Sequence, residues 1–127
     1  MESNSILSLS LFEAGRVLWV LPRVEWGRLT QGPAPLVSML RTRGKGGRSR
    51  SRSERRLLQR VIHVIDGALP DGGNCYRRSL IEIALDKVAA QESLNMGFAA
   101  EGGPRSGHAW LGRAEETNGR YEVIVSL

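Results

Sequence analysis

Cys75 and His108 are the two residues whose types and settings point most directly to chemistry. Cys75 follows a glycine-rich turn, Pro70-Asp71-Gly72-Gly73-Asn74, and stands at the predicted opening of a helix. There, backbone N–H groups without intrahelical acceptors and the positive end of the helix dipole stabilise an anion. Such a place favours a reactive thiolate, and the same N–H groups can receive the oxyanion that develops in acyl transfer. His108 enters a predicted strand just after a glycine-flanked loop. On the sheet face away from the bulk of the core, it would point at the helix start, where a neutral imidazole takes a thiol proton and later delivers it to a leaving amine. The residues alone leave two readings open: a Cys–His dyad, or an inert buried thiol with an unrelated histidine. His63 lies mid-helix among apolar residues and reads as a packed or surface histidine.

The elements that would position this pair follow from periodicity and punctuation. A first helix is expected over about Leu11 to Leu21, with Ser10 as cap, Glu13 at capping-box spacing, and Leu11, Phe12, Gly15, Leu18 and Trp19 as the inward face; Pro22 closes it. A second amphipathic stretch carries Val24, Trp26 and Leu29, and Pro33 and Pro35 break it before the apolar piece Leu36 to Leu40. Trp19 and Trp26 read as core or docking residues. Helix resumes from about Arg52 to Ile65, started by a capping box of Ser51 and Glu54, with Leu57, Leu58, Val61, Ile62 and Ile65 as its buried stripe. Another runs from Cys75 to about Ala90. Beyond Gln91 the period becomes two: Leu94, Met96 and Phe98 alternate with polar or small residues. Asn118-Gly119 signals a hairpin, and Tyr121, Val123, Val125 and Leu127 would line one face of a closing strand. Helices first and a small antiparallel sheet last make the fold class α+β.

Composition bounds the rest. A chain of 127 residues holds one domain, 1–127, and 15 glycines make it loop-rich. No uninterrupted apolar run reaches about eighteen residues and no signal-peptide pattern opens the chain, so neither stable membrane insertion nor secretion is expected, and a cytoplasmic location follows. A single cysteine forms no internal disulfide. The net charge of +5 is concentrated in RTRGKGGRSRSRSERR, Arg41 to Arg56, which holds eight of the 18 basic residues. With no apolar residue between Leu40 and Leu57, it reads as a flexible basic loop at about 41–52.

The segment Gly73-Asn74-Cys75-Tyr76-Arg77-Arg78-Ser79-Leu80, followed by Gly107-His108-Ala109-Trp110-Leu111, resembles the B2 leader peptidases of lasso-peptide biosynthesis, a bacterial family of transglutaminase-like cysteine proteases. In that family a cysteine opens a helix in a C-x-x-R-[SA]-L run and a histidine stands in an H-A-W strand. The match is best from about Ser53 to Trp110. The resemblance implies a transglutaminase-like or papain-like core and removal of the leader peptide from a ribosomally made precursor, with Cys75 as nucleophile and His108 as base and then acid. It implies no cofactor. Its partners would be the precursor peptide, a separate leader-recognition protein, and an ATP-dependent cyclase that closes the macrolactam afterwards.

One element departs from the family pattern, which places an aspartate shortly after the histidine on the adjoining strand. If Asn118-Gly119 is a two-residue turn, the residue opposite His108 lies past Leu127, and Glu122 pairs with Glu115 on the face away from His108; a bulge would reverse that. Glu122 is nevertheless the candidate orienting acid. Two other readings compete: a nonenzymatic accessory protein presenting precursor to the cyclase, and a nucleic-acid binder whose Arg-rich loop neutralises phosphates. The second lacks interleaved aromatics for base stacking. Two histidines and one cysteine without metal-ligand spacing give no zinc set.

Overall fold

The capping box at Ser51 forms in full: Ser51 Oγ accepts from the Glu54 N–H at 3.3 Å, and Glu54 Oε1 accepts from the Ser51 N–H at 3.2 Å. It starts one of four helices found among the described residues of a computed structural model, which describes residues 2–99, 107–112 and 121–127. These helices are α1 (Glu2–Thr30), α2 (Pro33–Lys45), α3 (Arg52–Ala68) and α4 (Cys75–Leu85). A single 3-10 turn, Ala89–Gln91, leads into β1 (Leu94–Ala99), β2 (Gly107–Leu111) and β3 (Tyr121–Ser126). The class is α+β, helices first and a three-stranded antiparallel sheet last.

Helix α4 is the centre of the packing. Ser79, Leu80, Ile81, Ile83 and Ala84 are all buried, because α1, α2 and α3 cover it from the helical side and β2 from the other. It ends at Leu85, earlier than its apolar period predicts, because Asp86 adopts extended backbone and its carboxylate accepts from the Ala89 N–H to begin the 3-10 turn. Where α2 crosses α4, the backbones meet at Gly44: a Cβ there would stand 1.9 Å from the Ile83 carbonyl oxygen.

The first helix differs from its predicted form. Helix α1 runs through both Ser10, whose hydroxyl donates to the Ile6 carbonyl, and Pro22, which lies inside it. A proline in a helix interior costs about 3 kcal/mol, and the burial of Val17, Val20 and Val24 on either side of it offsets that cost. The inward face is this valine stripe. The leucine-rich stripe predicted to face the core, Leu11, Phe12, Leu18 and Trp19, is exposed. Two apolar stripes share the helix, and the choice falls to the one that also carries Glu13, whose carboxylate is needed inside to pair with Arg50. The stretch Ser5–Thr30 is also long and apolar enough, by length and composition only, to cross a membrane. Pro33 and Pro35 likewise open α2 rather than separating two short pieces.

Of the stretch 41–52 expected as a loop, Arg41 to Lys45 belong to α2 and Arg52 opens α3, which leaves 46–51 between the helices. Arg41 lies on α2 and donates to the carbonyls of Ala90 (3.0 Å), Glu92 (2.7 Å) and Leu127. Arg50 is buried, grips Glu13 through Nε (3.0 Å) and Nη2 (3.2 Å), and donates to the Leu85 carbonyl. Arg55, on α3, pairs with Asp86 at 2.7 Å and with Glu92. Apolar burial is one way to fix a backbone; here charge-assisted hydrogen bonds to helix ends and buried carboxylates do it.

Strand β1 is central in the order β2-β1-β3. It pairs with β2 so that Leu94 opposes Leu111, Met96 opposes Ala109 and Gly97 opposes His108. The expected hairpin pairing of β2 with β3 is therefore replaced by pairing of β3 with β1, and Glu122 opposes Phe98 rather than Glu115. Asn118-Gly119 lies outside the described residues. The β1–β3 register shifts between Met96, opposite Val125, and Gly97, opposite Val123, so a bulge interrupts this ladder.

These contacts set opposite expectations for two glycines. Gly44→Ala drives a methyl into the Ile83 carbonyl and should destabilise the protein by about 3 kcal/mol. Gly15→Ala, on the open side of α1 with nothing within 4 Å, should stabilise it by about 0.5–1 kcal/mol. Urea denaturation of both variants checks the packing; equal effects would contradict the close α2–α4 crossing.

Candidate active site

The turn before Cys75 is built around a buried carboxylate. Asp66, 1% exposed near the end of α3, accepts on Oδ2 from the backbone N–H groups of Gly73 (2.9 Å) and Asn74 (3.2 Å). Its Oδ1 accepts from Arg77 Nε (2.9 Å) and Nη2 (2.6 Å). Arg77, itself 1% exposed, extends Nη1 to the Asp71 carboxylate, which the guanidinium holds below the usual carboxylate range. Gly73 sits at φ +83°, a left-handed conformation that glycine adopts without penalty. Asn74 then caps α4 by accepting from the Arg77 N–H at 2.9 Å. Cys75 is thereby fixed as the first residue of the helix.

Opposite it stands β2, an edge strand of the described sheet. The Ala109 N–H donates to Cys75 Sγ at 3.2 Å, which ties the helix start to the strand. Alternation along β2 turns Ala109 and Leu111 toward the core and sets His108 and Trp110 on the other face, their rings stacked at 5.5 Å between centroids and 18° between planes.

Cys75 and His108 line the same two concavities. The larger, about 570 Å³, is bounded also by Gly73, Tyr76, Met96 and Gly97. Gly97 faces His108 across the β1–β2 ladder, so no side chain from that position narrows it. The smaller, about 350 Å³, adds His63, Arg78 and Glu82. Burial, with the Arg78 charge adding to it, pushes His108 below the ordinary histidine range, so the imidazole is neutral near neutral pH. Burial likewise pushes the Glu82 carboxyl up, with Arg55 at 3.5 Å opposing the effect. Tyr76 is raised by burial too, against the charge of Arg28. His63 is an exposed α3 residue whose Nδ1 accepts from Arg78 Nη1 at 2.8 Å.

Of the residues singled out from sequence, Cys75 and His108 are brought to one cavity wall, while β1 stands between the backbones of His108 and Glu122. Glu122 is thus not on the strand adjoining His108, because β3 takes the far edge of β1. The arrangement brings to one wall groups that thiol acyl transfer uses: a sulfur at a helix start, the N–H groups of Cys75 and Tyr76 opening that helix, and an imidazole of lowered basicity. Three residues to which the sequence reading gave no role support it. Asp66 and Arg77 hold the turn, and Trp110 stacks on the imidazole. An aspartate in register with Leu58 and Ile62 on a buried helical stripe was the available signal for the first.

No family model, curated protein or solved structure matches the chain.

Removal of the Asp66 carboxylate leaves Arg77 charged and buried. Asp66→Ala should cost about 3–5 kcal/mol of stability and release the turn, so alkylation of Cys75 by iodoacetamide should change in rate under native conditions. A variant with wild-type denaturation midpoint would refute the role given to this carboxylate.

Proposed function

We propose that this protein is a cysteine peptidase with a transglutaminase-like core, one that removes the leader peptide from a ribosomally synthesised lasso-peptide precursor in the cytoplasm. The observation that carries the reading is the meeting of Cys75, at a helix start and hydrogen-bonded to the Ala109 N–H, with a neutral His108 on one cavity wall. The C-x-x-R-S-L and H-A-W segments supply the substrate class through their resemblance to the leader peptidases.

In this mechanism His108 takes the thiol proton as Sγ attacks the scissile carbonyl carbon. The oxyanion of the tetrahedral intermediate is received by N–H groups at the start of α4. As the intermediate collapses, the C–N bond breaks and His108 gives its proton to the leaving amine, which frees the core peptide and leaves the leader as a thioester on Cys75. His108 then takes a proton from water as the hydroxide attacks the thioester; on collapse the C–S bond breaks, His108 returns its proton to the sulfur, and the leader leaves as a carboxylic acid that ionises in water. No redox partner or metal enters these steps. Trp110 positions the imidazole by stacking, and the cavity of about 570 Å³ is within the range that holds a few residues of a peptide. Presentation of the leader falls to a separate recognition protein, and ATP belongs to the cyclase that acts next.

The test is incubation of the purified protein with precursor and recognition partner, without ATP, followed by mass spectrometry. Free leader should appear, and Cys75→Ala and His108→Ala should each lower its rate by about 10³-fold or more. Undiminished cleavage by Cys75→Ala would falsify the assignment, and absence of ATP-free cleavage alongside retained delivery of precursor to the cyclase would favour an accessory role.

The electrostatics add a pH test. His108 must be neutral to accept the thiol proton, so the rate falls as pH drops through its depressed pKa. Arg78→Gln removes one cause of the depression and should move the acidic limb of the kcat/KM profile to higher pH. A shift to lower pH, or none, would remove Arg78 from this role.

A further inference from the structure

Helix α1 carries an exposed face that the peptidase reading does not use. Leu7, Leu11, Leu18, Trp19, Trp26 and Leu29 all stand outside the core, Trp19 at 74% and Leu29 at 83% exposure. At 100° per residue they fall within one arc, and from Leu7 to Leu29 it extends about 33 Å. Large contiguous apolar patches on soluble proteins mark surfaces of interaction. Isolated exposed leucines would need no such account.

Charge identifies what lies against this face. On the α2 side, Arg43 borders a groove of about 640 Å³ with Leu11, Phe12 and Trp19. Arg56 and Arg60 stand beside Ile6 and Leu9 on the opposite side of the helix, against α3, and take no part in this face. Arg16 and Arg23 are on the helix itself, Arg16 over the Phe12 ring at 5.5 Å. The acids nearby are occupied: Glu13 is buried against Arg50, Glu25 is paired with Arg28, and Glu54 with Arg48. An apolar strip is thus bordered by cations along one edge, Arg23 and Arg43 among them, which long arginine stems can lift to the headgroups while the strip enters the acyl boundary. The composition of Ser5–Thr30 suits hydrocarbon, yet burial of Val17, Val20 and Val24 on its other side keeps the helix attached along its length. It can lie in a membrane surface but cannot cross one while the protein is folded.

We infer that α1 docks this protein in-plane on an anionic phospholipid bilayer, its Leu/Trp face in the interface and Arg23 and Arg43 at the headgroups. A flat bilayer accepts a straight, convex helix face without a shaped receptor. A protein occupant would need an apolar trough with acids along the rim that meets Arg23 and Arg43.

Cosedimentation of the full chain with vesicles tests this, comparing phosphatidylcholine alone with phosphatidylcholine containing phosphatidylglycerol. The protein should sediment with the anionic vesicles, less so as salt rises, and its tryptophan emission should move to shorter wavelength. Trp19→Ser with Trp26→Ser, both outside the core, should preserve the circular dichroism spectrum and weaken partitioning about tenfold or more. Replacing Arg23 and Arg43 together by Gln should weaken it on anionic vesicles by a similar factor. Wild-type protein left in the supernatant, or equal partitioning of the tryptophan variant, overturns the proposal. A dimer that this variant dissociates, without vesicle binding, assigns the face to a second copy and overturns it as well. Because the leader-cleavage assay contains no lipid, its outcome is independent of this one.

Discussion

The position of Cys75 depends on a buried ion pair between Asp66 and Arg77. Burying opposite charges is favourable only when their remaining hydrogen-bonding capacity is met. Here both Asp66 oxygens are used twice, by two backbone N–H groups of the turn and by two guanidinium nitrogens. The pair joins the end of α3 to the first turn of α4 and leaves the six residues between the two helices one path. Apolar packing alone would hold the two helices together without choosing where the second begins. The ionic pair makes that choice, and so places the thiol at the helix mouth.

The sheet completes what the helices begin. With β1 central and β2 at an edge, the helix start meets the margin of the sheet instead of its face. A backbone donor at the sulfur fixes the distance between the two layers. The next residue back along the strand, His108, then has a wall of small residues, Gly97 and Gly107, on one side and the Arg78 charge on the other. The same geometry that gives the imidazole access to the cavity also removes water from around it, which is why the ring is less basic than a free histidine.

Much of this could be read before any coordinates. The Ser51–Glu54 box and the Leu58, Ile62 stripe named α3, the turn at Pro70 to Asn74 named the start of α4, and alternation after Gln91 named β1, because each signal is local and has one physical solution. Where two solutions existed, sequence was insufficient. Helix α1 offers two apolar stripes, and only the partner of Glu13, Arg50, 37 residues away, decides between them. The end of α4 is set by Asp86 contacts with the basic stretch, not by its own period. Strand order failed for a related reason: a turn signal at Asn118-Gly119 states nothing about which edge of β1 the last strand will take. Glu122 inherited its candidacy from that assumed hairpin. Asp66 was missed because a single acid on an amphipathic helix reads as solvated until an arginine at the next helix start is placed beside it.

The arginine clasps also describe which substitutions the chain tolerates. RTRGKGGRSRSRSERR resembles a low-complexity tail, in which any basic residue would serve as well as another. Yet Arg50 grips both oxygens of Glu13 and a helix-end carbonyl together, and Arg41 gathers three carbonyls from two parts of the chain. A lysine keeps the charge but offers a single point where a planar fork is required. Arg48, in contrast, meets Glu54 at the surface and is open to exchange. Within one run of like residues, some positions are therefore as constrained as a core leucine while their neighbours drift freely, and composition alone hides the difference.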